Sequence, residues 1–116
     1  MKDPNCIFCK IITGKSPAQI LYQDDLSTAF WDAHPIAPVH ILVVPNDHID
    51  SLNSIQNNHE STLGHLILIA HTLAKQHGIH LSGYRLVINT GPDAGQSVNH
   101  LHLHLIGGRR MPFRFE

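Results

Sequence analysis

The sequence predicts an α+β fold: an antiparallel sheet of about five strands, one long helix and a short N-terminal helix. Three observations carry that expectation. Short apolar or alternating runs recur between turn residues, one segment shows an apolar repeat at three- and four-residue steps, and the strand runs follow one another mostly in hairpin-like order.

The elements follow in chain order. Cys6 to Thr13 is read as a short helix, with Gly14 as the residue past its end. Ile20–Gln23 and Ser27–Trp31 read as strands around an Asp24-Asp25 turn. Pro35 and Pro38 enforce an irregular loop before the buried strand Ile41-Leu42-Val43-Val44, which Pro45 ends. Leu63, Leu66, Ile67, Ala70, Leu73 and Ala74 then make one apolar stripe on a long helix. Asn57 with Glu60 suggests a capping box at its start, and Gly78 suits its exit. Tyr84–Asn89 alternates as a strand, residues 90–97 are too glycine-rich for regular structure, and His100–Ile106 is the last strand before Gly107-Gly108.

Composition narrows the function classes. The 116 residues suit one domain, 1–116, with a real hydrophobic core and no need of disulfides. A hydrophobic content of 42% with both charge signs excludes a disordered or collagen-like chain. The net charge of −1 offers no basic face, so no nucleic-acid partner is expected. No apolar run reaches the roughly 18 residues of a membrane span, and the start Met1-Lys2-Asp3-Pro4-Asn5 does not resemble a secretory leader. A soluble, cytoplasmic protein is the expectation. The two cysteines, Cys6 and Cys9, sit three apart; in a reducing compartment such a pair suits a metal clip or a redox pair better than a structural disulfide.

Chemistry concentrates in the eleven histidines. On a strand, His100, His102 and His104 share one face while Leu101, Leu103 and Leu105 share the other. The leucines read as core. Three imidazoles in register are poor core filler and repel when charged, but they suit a base, a nucleophile or a metal ligand at neutral pH. The preceding loop carries Gly91 and Gly95, which let backbone N–H groups approach a phosphate, with Gln96 and Ser97 as further polar contacts.

The run Gly95-Gln96-Ser97-Val98-Asn99-His100-Leu101-His102-Leu103-His104-Leu105 resembles the signature of the histidine-triad (HIT) superfamily, and within it the branch of nucleotide-binding purine nucleoside phosphoramidate hydrolases. The resemblance spans nearly the whole chain, from Cys6-Ile7-Phe8-Cys9-Lys10-Ile11-Ile12 through Ala29-Phe30-Trp31-Asp32 and Pro38-Val39-His40-Ile41-Leu42-Val43-Val44-Pro45. It continues in Gly64-His65-Leu66, Gly83-Tyr84-Arg85 and Gly107-Gly108-Arg109. It implies a HIT-like fold and hydrolysis of a purine (AMP- or GMP-type) nucleoside 5′-phosphoramidate through a nucleotidyl-histidine intermediate. His102 would be the nucleophile and His104 a donor to phosphate oxygen. Ser97 would assist the leaving group and His40 would support the triad. Asp32 would hold the ribose hydroxyls, Asn89 would lie near sugar or phosphate, and Gly95 and Gln96 would meet the phosphate. Ile7, Phe8, Ile11 and Phe30 would wall the base, although from the residues alone these four read equally well as core.

The resemblance further implies a structural zinc on Cys6, Cys9, His48 and His100, no catalytic metal, and a homodimer. Two segments depart from the animal branch: Asn99 stands where an aromatic is common, and the tail Arg110-Met111-Pro112-Phe113-Arg114-Phe115-Glu116 lacks the tryptophan-bearing pattern. Leaving-group preference therefore does not carry over. The competing readings are a dinucleoside polyphosphate hydrolase or nucleotidyl transferase, for which no segment supplies a second pocket, and a non-catalytic nucleotide-binding module, which would not need His102 as a nucleophile.

Overall fold

The architecture comes from a computed structural model that describes residues 2–112, so tail residues 113–116 lie outside the described part. Helix α1 spans Ile7–Ile12 and α2 spans Glu60–Gln76. The strands are β1 Ile20–Gln23, β2 Ser27–Trp31, β3 Val39–Pro45, β4 Tyr84–Val87 and β5 Leu103–Gly107. They form one sheet in the order β1-β2-β3-β5-β4, with every neighbouring pair antiparallel. The predicted α+β class, sheet and helices are all present.

Strand β3 is the centre, and all seven of its residues are buried. That follows from cover on both faces. Ile41 and Val43 meet α2 through Leu66, Ile69, Ala70, Leu73 and Ala74, in a core that includes Leu101, Leu103 and Leu105. Leu42 and Val44 point the other way and pack with Phe30 on Phe8, Cys9 and Ile11 of α1. Period-two alternation thus sorts one strand between two cores.

Strand β3 begins at Val39, two residues before the expected Ile41, and three further boundaries and one helix face also differ from the expectation. The last strand begins at Leu103, not His100. Its partner β3 ends at Pro45, which has no N–H to extend a ladder, and the lead-in is tied elsewhere: Leu101 N–H donates to Ile49 O at 2.7 Å. Strand β4 stops at Val87, where it pairs with His104, and does not continue to Asn89. The capping box of Asn57 and Glu60 does not form; Asn57–His59 is a 3-10 turn in which His59 Nδ1 accepts from Gln56 N–H at 2.9 Å, and the α-helix starts at Glu60. The buried stripe of α2 takes Ile69 in place of Ile67, which is 52% exposed, while Gly78 ends the helix as expected with φ +72°. Among the described residues, no helix is long and apolar enough to cross a membrane.

Candidate active site

Residues directly opposite one another on paired strands share a face. Leu42 opposes His104, His104 opposes Val87, and both His40 and Arg85 oppose Ile106. The histidine face is therefore the face that α1 only partly covers, and the space left open is the site. A cleft of about 610 Å³ is lined by Ile7, Phe8 and Ile11 of α1, Phe30 and Asp32 from β2 and the residue after it, Leu42, Ser97, Val98, His102 and His104. Phe8 stands edge-on to Phe30 and to His102, with ring centroids 5.4 Å and 5.2 Å apart.

Hydrogen-bond partners fix the imidazole tautomers. His102 Nδ1 lies 2.7 Å from the carbonyl oxygen of His100, which can only accept; His102 therefore carries its proton on Nδ1 and leaves Nε2 bare. The N–H of Ile36 donates to His40 Nδ1 at 3.2 Å, so neutral His40 is protonated on Nε2. That N–H points to His104 Nδ1 at 2.9 Å, with Asp32 Oδ2 a second acceptor at 3.3 Å. His104, accepting on Nδ1, keeps its own proton on Nε2. The result is a bare nitrogen on His102 beside an N–H donor on His104, with ring centroids 5.0 Å apart. Burial, and then the neighbouring His102 and His40, push His104 down to about 4, and burial also lowers His40 against the pull of Asp32. Both are neutral at pH 7.

The loop at 90–97 is held by its own side chains. Gly91 and Gly95 adopt φ +81° and +75°, a region glycine enters without steric cost, on either side of the turn Pro92–Ala94. Gln96 Oε1 accepts from Gly91 N–H at 2.9 Å, and its Nε2 donates to Asp50 O and Val98 O at 2.8 and 2.9 Å. Both amide protons are thus spent on shaping the loop. Asn89 donates to Ala94 O at 2.9 Å and borders a second cleft, beside His40 and His104, instead of the nucleoside-sized one. Ser97 lines the main cleft and also an acidic cleft behind the loop.

Cys6, Cys9, His48 and His100 come together, with one donor atom from each lying within 4.8 Å of the others. Cys6 Sγ is 3.3 Å from His100 Nδ1, and Cys9 Sγ is 3.4 Å from His48 Nδ1 and 3.6 Å from His100 Nδ1. Sulfur–nitrogen edges of a tetrahedral zinc centre are about 3.5 Å for ordinary bond lengths. The other ring nitrogens donate outward, His100 Nε2 to Pro45 O at 2.9 Å and His48 Nε2 to Asp50 at 2.7 Å, which aims both bare nitrogens inward. Residue types, spacing and tautomers all fit a closed metal site. Asp32, His40 and His104 also cluster within 4.8 Å. That set is a poor ligand shell, because Ile36 N–H keeps a proton on the His40 nitrogen that faces the other two.

The HIT domain pattern matches residues 13–111. This chain belongs to the HIT family. The HIT chain is 50% identical over 103 residues to the purine nucleoside phosphoramidase of Escherichia coli K12, covering 89% of this chain and 87% of that one. A histidine triad protein from Clostridium difficile superposes with a TM-score of 0.95 at 41% identity, covering both chains completely. A HIT family hydrolase from Legionella pneumophila gives 0.92 at 41% identity over 94% of this chain and 97% of that one.

Sequence reasoning missed the parts that do not announce themselves by type. Leu42, Val98 and the segment Pro17–Gln19 line the main cleft. Pro45 O and Ile36 N–H set tautomers through the backbone, where no side-chain signal exists. Asp50, two residues after His48, was the one such partner visible in the sequence.

Proposed function

We propose that this HIT protein hydrolyses purine nucleoside 5′-phosphoramidates, with residues 1–116 acting as one domain. The observation that carries the reading is the hydrogen bond from His102 Nδ1–H to His100 O, which leaves Nε2 unprotonated in the cleft. The name of the E. coli relative, a purine nucleoside phosphoramidase, supports the same reaction.

The base lies between Ile7, Phe8, Ile11 and Phe30, and Asp32 accepts from the ribose hydroxyls. His102 Nε2 attacks the α-phosphorus, forming an N–P bond as the P–N bond to the amine breaks and the amine nitrogen gains a proton with help from Ser97. His104 Nε2–H donates to a phosphoryl oxygen as charge gathers there. Water then attacks the phosphorus: its oxygen joins the phosphate, the proton it gives up replaces the one the amine took away, and the N–P bond to His102 breaks to release the nucleoside monophosphate. His40 holds His104 in the donating tautomer. Gly95 and Gln96 act through the shape of the phosphate loop, and Asn89, two residues past the end of β4, pins that loop.

The metal site fits structural zinc on Cys6, Cys9, His48 and His100. All four positions are filled by protein atoms, so the metal would tie α1 to the lead-in of β5 and supply no open coordination position for water.

The test is a fluorogenic adenosine phosphoramidate given to wild type and His102→Ala. Removing a nucleophile costs about 10⁴-fold or more in turnover, so wild-type turnover should vanish in the variant while nucleotide still binds. Equal rates in both would refute the reading.

A further inference from the structure

The nucleophile sits just outside the sheet. Strand β5 begins at Leu103, opposite Val43, so His102 lies before the first rung of the ladder. Three tethers hold it there instead, and each starts from a residue of the Cys6, Cys9, His48 and His100 cluster.

The first tether is His100. Its ring nitrogen Nδ1 lies 3.3 Å from Cys6 Sγ and 3.6 Å from Cys9 Sγ, while its carbonyl accepts from His102 Nδ1–H at 2.7 Å. One residue thus offers a metal ligand from its side chain and fixes the nucleophile's tautomer from its main chain. The second tether starts at His48. The next carbonyl along, Ile49 O, accepts from Leu101 N–H at 2.7 Å. Asp50 O accepts from Gln96 Nε2 at 2.8 Å, and the Asp50 carboxylate accepts from His48 Nε2 at 2.7 Å. Residues 48–50 therefore grip the lead-in to β5 with one carbonyl and the phosphate loop with the following one. The third tether is α1. Ile7 and Phe8 lie between the two cysteines and line the nucleoside cleft, and the Phe8 ring stands edge-on to His100 and His102 at 5.8 Å and 5.2 Å.

Without a cation, thiol–imidazole contacts of 3.3 to 3.6 Å join these segments, and a thiol is a weak hydrogen-bond donor. Four metal–ligand bonds would instead fix all three segments to a single point. Small errors in that geometry matter, because a nucleophile displaced by about 1 Å loses about 10²-fold in rate.

We propose that the Cys6, Cys9, His48 and His100 cluster is a positioning site for the reaction: its occupancy by zinc sets the pose of His102 and of the phosphate loop. This rests on the phosphoramidase and zinc readings and adds the coupling between them. A metal that only held the fold together would change Tm and leave the folded active site as it is. Coupling is reciprocal, so a nucleotide held against His102 must also be felt at the metal.

The test compares zinc-loaded protein with protein stripped by a chelator under conditions that leave its far-UV circular dichroism unchanged. Stripping should lower kcat for an adenosine phosphoramidate about tenfold or more, and added zinc should restore it. Imidazole nitrogen NMR should show His102 as a single Nδ1–H tautomer in the loaded protein and as a mixture in the stripped one. In cobalt-loaded protein, AMP should shift the visible absorption bands of the thiolate–cobalt centre, a readout that needs no metal-free state. Cobalt bands that AMP leaves unmoved overturn the proposal. So does a folded, stripped protein that keeps full turnover and the same His102 tautomer. Protein that binds neither metal strikes the zinc reading and this proposal with it. A loaded protein that turns nothing over strikes the phosphoramidase reading, and the tautomer and cobalt readouts then still decide the coupling.

Discussion

At the scale of single residues, the active site is a set of assigned protons. His102, His40 and His104 are equivalent as residue types, and what separates them is the partner each ring meets: a carbonyl, a backbone N–H, another imidazole. Burial makes the neutral forms of His40 and His104 the folded-state forms, which has a consequence for stability. His104 drops from 6.5 to about 4 on folding, so below pH 6.5 the unfolded chain binds the proton more readily than the folded one. Its contribution is present in full above pH 6.5 and is lost as pH falls from there toward 4. Thermal melts at pH 7 and pH 4.5 should show a smaller decrease in Tm for His104→Asn than for wild type. Equal decreases would contradict the buried neutral imidazole. Much of this scale was legible in advance, because the alternation of histidine and leucine from 100 to 105 sorts reactive rings from core. The tautomers were not legible, since they depend on Ile36 N–H, His100 O and Pro45 O, atoms every residue possesses.

At the scale of elements, a six-residue helix carries two jobs. Helix α1 supplies Phe8 and Ile11 to a core and to the wall of the main cleft, and it presents both cysteines. So short a helix is marginal by itself. Cys6 occupies its N-cap, its sulfur accepting from Cys9 N–H at 3.4 Å, and burial pushes the Cys6 thiol up in the absence of a cation. A bound zinc would hold both thiolates and anchor α1 to His48 and His100. Protein purified without added metal should contain roughly one zinc per chain, and Cys9→Ala should lose it together with several degrees of Tm. Elemental analysis that finds no metal, with both native thiols titratable, would remove the zinc. Strands β1 and β2 matched their sequence patterns, because a turn with Asp24 accepting from Leu26 and Ser27 N–H bounds them closely. The ends of α2, β4 and β5 did not, because they are set by where a neighbouring strand runs out or which side chain captures a terminal N–H.

At the scale of the whole molecule, the strand order β1-β2-β3-β5-β4 explains why residues far apart in sequence share one chemistry. Inserting β5 between β3 and β4 puts His104 beside Leu42 and Val87, and leaves β4 as a sheet edge. We propose that this edge, with the exposed Ile67 and Leu68 of α2, forms the surface of a homodimer. Light scattering at micromolar concentration should give twice the chain mass, and monomer mass alone would refute the dimer. The fold class could be read from periodicity, but not the neighbour relations, so the second cleft beside His40 and His104 had no sequence signature. Its lining comes from β3, β4, β5 and the segments around them.

We propose that His102 Nε2 takes the nucleotide, and rapid-quench peptide mapping during turnover tests this directly. Wild type mixed with excess adenosine phosphoramidate and quenched within one turnover should carry a nucleoside monophosphate on the peptide containing His102, and His102→Ala should carry none. An adduct on a different residue, or undiminished turnover by His102→Ala, would contradict the account.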